Sequence, residues 1–492
     1  MTPFRYSPLL ATGLFLLSTA APASTNEAGK ATVGIRGHRH FIHHTSEGKQ
    51  KVPVDLSSVP IEAWAQGADG SFFHYPGTGA SDGTFVVPGI PPGATYTLRI
   101  GDELPWFSSV ERRLDLSEHK LGRVGQRTPD SSTHLVFDVG AMRPWLPGDL
   151  LQLISANAGM VVIDLHGGFD EGAPTAGDTE LAQASFNLAW SSENRLVDSA
   201  QGDSAMLTHL ATSATGDSRS LTEVFIPAPF TTPEGQSTLL QGGFTEVAQT
   251  EQLSYEFHEA AFTPAIADVH PRAERTPGRQ PELGVSVLPA GKGPGFFSSI
   301  PDLLEADLHE GSPALPLRYG NPFPREWPAV VSVVYPVSVT FALAGTQPTR
   351  QSAGVSYTNL LWKVEGQPLA PLLTPVRSLS IDGAVATVDQ TMTSLTPTLS
   401  WSAPAAGTPS AHEVSIRRLF VSGTRTVAAL GVRIRTAQSH VTLPPGVLVP
   451  GASYIMSVRA FRQGDLDLSR HPLRTAFPVA NATAFTGILT TP

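Results

Sequence analysis

The stretch SDGTFVVPGIPPGATYTLRIGD, residues 81–102, decides how this chain reads. At its end Tyr96, Leu98 and Ile100 alternate with Thr95, Thr97 and Arg99. A period of two is that of a β-strand with one face buried and the other wet. Asp82-Gly83 is a tight-turn pair ahead of a strand over residues 84–87. Pro91-Pro92-Gly93 forces the next turn, because two prolines remove ladder donors and glycine accepts positive φ.

Working outward, strand signals precede this stretch at residues 31–37, 60–66 and 71–75. The order of a DGTF turn-strand followed by PPGxxYTLRI resembles the carboxypeptidase regulatory-like domain, over residues 31–102. That resemblance implies a transthyretin-like β-sandwich serving as an accessory module. Near the other end stand LSW (residues 399–401) and LVPGASYIMSVRA (residues 448–460). Leu399 and Trp401 point inward on one strand. Further strands read at residues 412–420, 428–436, 440–443 and 453–461. Leu448-x-x-Gly451-x-x-Tyr454 has the spacing of a tyrosine corner, in which the phenol bonds back to the backbone. Residues 397–490 thus resemble a fibronectin type III domain, with Val414 where that family usually carries a tyrosine. The resemblance implies a spacer or a unit that binds proteins or glycans.

Between the two lies a region, residues 129–375, that resembles no family we can name. Short apolar runs recur at 135–139, 150–154, 159–165, 184–190, 221–226, 252–258, 329–335, 337–344 and 357–364. Short strands punctuated by turns predict one β-sandwich or two. The Pro-rich residues 263–295 read as a long loop or an internal divide. Ser299-Ile300-Pro301-Asp302 predicts the start of a short helix through Leu308. The expected fold is therefore all-β: a signal peptide (1–23), a front β-sandwich (24–128), a central region (129–375) and a back β-sandwich (376–492).

Composition sets the compartment. Arg5, an apolar run over residues 9–17 and Ala21-Pro22-Ala23 fit a secretory signal peptide, and no later run is long enough to span a bilayer. The chain has no cysteine, so disulfides, thiolate metal sites and a lipobox are excluded. A long secreted chain without disulfides points to bacterial export. The net charge is −10 and no basic run of five residues occurs. Nucleic acid is therefore disfavoured as a partner, and so is a polyanionic glycan held by bulk charge.

Four groups of residues could carry chemistry. His38 and His40 would share a strand face, as a pair chelating zinc or copper requires, within a cluster that also holds His43 and His44. Asp164, Asp170, Glu171, Asp178 and Glu180 offer oxygen ligands for calcium. Tyr255-Glu256-Phe257-His258-Glu259 sets a histidine between carboxylates without forming HExxH. Trp106, Trp145, Trp190, Trp327 and Trp362 could stack on sugars, with Trp145 favoured for exposure because Pro147 and Gly148 place it beside a loop. Gly202-Asp203-Ser204, Gly216-Asp217-Ser218 and Asp164-Leu165-His166-Gly167-Gly168 lack the surroundings of a nucleophile or an oxyanion loop and read as turns. Asn481-Ala482-Thr483, a glycosylation sequon, reads as an incidental turn.

These features lead to a secreted, non-catalytic β-protein that binds a glycan or an envelope protein, or acts as a spacer. The alternative is a polysaccharide-acting enzyme working through Asp164, Glu256 and Glu259.

Overall fold

The computed structural model describes residues 34–289, 300–311, 313 and 315–492. The expected signal peptide lies outside them. Strand accounts for about 48% of the chain and helix for about 5%, which settles the class as all-β, multi-domain. Among the described residues no helix is long and apolar enough to cross a membrane.

One hydrogen-bonded ladder organises the molecule. It runs from Met160–Val162 through Leu150–Ser155, Met206–Thr212, Ser218–Phe225, Asp302–Asp307, Glu282–Val287, Ala329–Phe341 and Thr349–Leu360. It continues through Val479–Phe485, Ser453–Gln463, Ala411–Ser422 and Arg425–Thr436. There it passes into the front part of the chain, because Ile434, Arg435 and Thr436 pair in parallel with Trp106, Phe107 and Ser108. Trp106–Ser109, Tyr96–Ile100, Ile61–Gln66 and Phe72–Pro76 complete it. Every pairing but that parallel one is antiparallel. The spatial order is therefore central, back, front, although the chain order is front, central, back.

Apolar residues at every second position cover one face of this ladder. Val331, Val333, Tyr335, Val337 and Val339 alternate along one strand, and Ala480, Ala482 and Ala484 along another. They join a core that also takes Val285, Val414, Ile416, Met456 and Val458. Against it lies a smaller sheet containing Leu379, Ile381, Leu399, Trp401 and Val441. This core crosses residue 376 without interruption. A second core gathers Leu135, Phe137, Phe186 and Phe225, and a third gathers Ile35, Phe85, Tyr96 and Leu98. The Val449 N–H donates to the Tyr454 phenol oxygen at 2.9 Å, so the corner expected from the spacing closes.

Several local expectations change. Residues 300–308 do not form a helix: Asp302–Asp307 is a strand paired on both sides, by Glu282–Val287 and by Ser218–Phe225. Two flanking ladders outweigh one helix-start signal. Residues 263–295 hold a short helix, Pro264–Val269, and the buried strand Glu282–Val287. Asn481-Ala482-Thr483 lies within the Val479–Phe485 strand and is no turn. Thr97, expected on a wet face, is buried beneath its ladder partners Trp64 and Ser108, and Trp64 stacks on Trp106 at 5.3 Å.

Candidate functional site

The outer face of the large sheet carries the site. Eight consecutive strands, from Ser218–Phe225 to Ala411–Ser422, turn their non-core residues to one side. At a strand spacing of about 4.8 Å they span roughly 34 Å. Two cavities lie on this face and meet at Val334. The larger, about 540 Å³, is lined by Gly148, Asp217, Arg219, Arg279, Asp302 and Glu305 among others. The smaller, about 310 Å³, is lined by Ser352, Ser356, Ser415, Arg417, Arg459 and Asn481 among others. Registers such as Ser356 opposite Asn481, Arg459 opposite Thr483 and Ser415 opposite Ser457 set hydroxyl, amide and guanidinium groups in rows across the strands. The result is a polar trough, acidic at one end and basic at the other.

At the acidic end Asp302 accepts a hydrogen bond from the Ser286 hydroxyl at 2.7 Å. Its backbone N–H and C=O are both held by the buried Gln152 amide, at 2.8 and 2.9 Å. Arg219 Nε donates to Glu305 at 2.6 Å, and Arg219 Nη1 donates to the Gly148 carbonyl at 3.1 Å. Burial, reinforced by the neighbouring Glu305, raises the Asp302 carboxyl well above the usual range. A buried carboxyl that resists ionisation thus stands beside a second carboxyl group held by arginine in the cavity wall.

At the basic end Glu413, 1% exposed, bonds Arg435 at 2.8 Å and also Arg459. Arg417 donates to the Ser457 hydroxyl at 3.0 Å.

Trp145 is not on this surface. It is 6% exposed and stacks on His209 with ring centroids 5.3 Å apart. His209 is fully buried between Asp149 at 3.1 Å and Glu223 at 2.8 Å. Asp149 also accepts from the Leu146 and Thr212 N–H groups, and Glu223 accepts from the Arg143 N–H. Burial pulls the His209 pKa down, but the two carboxylates outweigh it and the net shift is upward. With every polar atom engaged and no exposed surface, this is a structural clamp, and Trp145 covers it. The exposed tryptophans are Trp190 and Trp362, at 52% and 70%.

The remaining expected residues go to local tasks. His38 and His40 do adjoin, with ring centroids 5.0 Å apart, and His38 pairs with Asp115 at 3.1 Å. Among the described residues no group of three His, Cys, Asp or Glu could hold a metal ion. Asp164 caps the His166 N–H, Asp170 pairs with His134 at 2.8 Å, and Asp178 bonds Thr175. Glu256 and Glu310 flank the exposed His258 at 2.6 and 2.7 Å. Glu259 instead accepts from Tyr335 and pairs with Arg275. Asp164, Glu256 and Glu259 line neither cavity.

Asp302, Glu305, Arg417 and Arg459 went unread as site residues. For the two arginines a signal was available in the polar-x-polar spacing of Ser415-x-Arg417 and Ser457-x-Arg459, repeated in Ser352-x-Gly354-x-Ser356 and Asn481-x-Thr483, on otherwise apolar strands.

No family model matches the chain, and no curated protein matches it. Among solved structures, one described as the crystal structure of a tetra-tandem repeat in the extending region of a large adhesion protein aligns over 91% of this chain and 99% of its own. Its identity is 11% and its TM-score 0.12, and a score that low carries no argument about fold or role.

Proposed function

We propose that this chain is an exported, non-catalytic binding protein of the bacterial envelope or its surroundings, and that it holds an extended polysaccharide along the trough. The observation that carries the reading is the row of side-chain hydroxyl and amide groups across the outer face of eight paired strands. Every strand in the trough has ladder partners on both sides, although residues 349–354 pair only with Ala329–Phe341. With only a few apolar side chains in the walls, the trough suits a hydroxyl-rich chain better than an apolar peptide. The resemblance of residues 31–102 and 397–490 to accessory modules, and the signal-like first residues, support the same reading.

A second reading rests on the Asp302 and Glu305 pair. Two carboxyl groups in one cavity, Asp302 pushed up by burial and Glu305 bound by Arg219, are the kind of pair an acid–base hydrolase uses.

One experiment separates them. Residues 24–492 are incubated with insoluble polysaccharides and with envelope fractions, and the supernatant is analysed for released sugars. Retention without products supports the binding reading. Released oligosaccharides, abolished in Asp302→Asn and Glu305→Gln, support the hydrolase. Neither retention nor products would overturn both.

A further inference from the structure

Three guanidinium groups and one carboxylate meet at the basic end of the trough. Glu413 is almost fully buried, and its two oxygens are taken by Arg435 and Arg459. Arg417 stands next to them on the same face and makes one neutral hydrogen bond, to Ser457. Among the described residues no Asp or Glu oxygen lies within ion-pair distance of Arg417. It is half-buried in the wall of the 310 Å³ cavity. A partly desolvated guanidinium whose nearest carboxylate, Glu413, is already taken by two other arginines is unfavourable unless something else supplies an anion. Around it Ser352, Ser356, Ser415, Asn481 and Thr483 offer donors and acceptors for neutral hydroxyls.

We infer that the Arg417 end of the trough is a subsite for one carboxylate carried by the bound polysaccharide, that is, for a uronate unit. This rests on the polysaccharide reading above and makes it specific. The guanidinium fork accepts a carboxylate through two parallel N–H···O bonds, with the sugar hydroxyls left for the serines and Asn481. Burial first, then the like charge of Arg459, press on Arg417, Glu413 offsets them only in part, and an arriving carboxylate relieves them. The far end argues against a densely charged polymer. Asp217, Glu282, Glu305 and Asp307 outnumber Arg219 and Arg279 in the other cavity, and the chain carries −10 overall. The ligand is thus mostly neutral, with its acidic unit at the Arg417 end.

The test uses a neutral glucan oligosaccharide oxidised to a uronate at C6 of one terminal unit, compared with the methyl ester of the same molecule. Calorimetry on the full chain is expected to give about tenfold tighter binding of the free acid, the value of one charge-assisted contact. In Arg417→Met the ratio of the two dissociation constants falls to about one. Equal binding of acid and ester by the native chain, or a ratio kept in Arg417→Met, overturns the inference. If neither oligosaccharide binds, the polysaccharide reading has failed, and free glucuronate is titrated while the Arg417 Nε–H resonance is followed. A shift with glucuronate and acetate alike identifies a site for free carboxylates and overturns the uronate assignment. A shift with glucuronate alone supports it, and no shift with either overturns it.

Discussion

At the scale of single residues, buried polar groups fix the positions of whole segments. His209 joins Asp149, 60 positions earlier, to Glu223. Replacing it with leucine leaves two buried carboxylates without their cation, and loss of one partner from such a group costs about 3–5 kcal/mol. Urea unfolding of His209→Leu should show that drop. The sign of its pH dependence follows from the upward net shift. The contribution is fully present below the histidine's unfolded value near 6.5, and it is lost as pH rises through the higher folded value. The stability difference between native protein and variant should therefore shrink above neutrality. Tyr454→Phe leaves the Val449 N–H without its phenol partner and should cost about 1–2 kcal/mol, read as a lower denaturation midpoint. These two residues differ in legibility. Tyr454 was readable because its partner lies five positions away. Trp145 was misread because His209, the ring it stacks on, is remote in the sequence and close only in the fold.

At the scale of elements, alternation carried the strands and failed where neighbours decided. The Ala329–Phe341 strand runs through Pro336, which has no N–H for the ladder, and Gly354 stands opposite it. A Cβ on Gly354 would come within 2.9 Å of the Tyr335 carbonyl oxygen, a backbone atom that cannot swing aside. Gly354→Val is therefore expected to cost about 1–3 kcal/mol. It should also weaken polysaccharide binding, because Gly354 lines the trough; unchanged melting and binding would show that the strand pair relaxes. The same kind of long-range effect explains residues 302–307. Ser299-Ile300-Pro301-Asp302 is a sound helix opening by local chemistry, yet Leu303, Leu304 and Ala306 are buried between two strands that only the fold supplies. The trough shares both characters. Its floor follows the period-two pattern of each strand, while the assembly of eight such floors into one surface depends on strand order.

At the scale of the whole molecule, the two ends of the chain are fastened together, and histidines sit at the joint. Beside the parallel pairing of residues 434–436 with 106–108, Asp115 bonds Arg474 at 3.1 Å and His471 at 3.2 Å. Burial pushes the Asp115 carboxyl upward, but hydrogen bonds from Ser117 and Arg474 hold it well below the ordinary range. Next to it His44 Nε2 and His119 Nδ1 lie 2.7 Å apart, and Arg474 reaches His119 at 3.1 Å. Burial first, then the positive charges of Lys49 and Arg474, lower both histidines to about 4, and His44 adds to the effect at His119. Asp115 is too weak a counterweight at His119, and His43 adds to the repulsion at His44. A lowered folded value means that the unfolded chain binds more protons between about 4 and 6.5, so stability is lost as pH falls through that interval. The joint is the part that must yield, since two imidazolium groups and Arg474 cannot share it. Acidification from pH 7 to pH 4.5 should lower the melting temperature and raise hydrogen exchange at residues 106–108 and 434–436 ahead of the large core. His119→Gln, which removes one of the two titrating rings, should make the loss shallower. A joint whose exchange stays flat across that range, or a loss equally steep in the variant, would mean that the histidine pair does not govern how the front of the chain is held against the back.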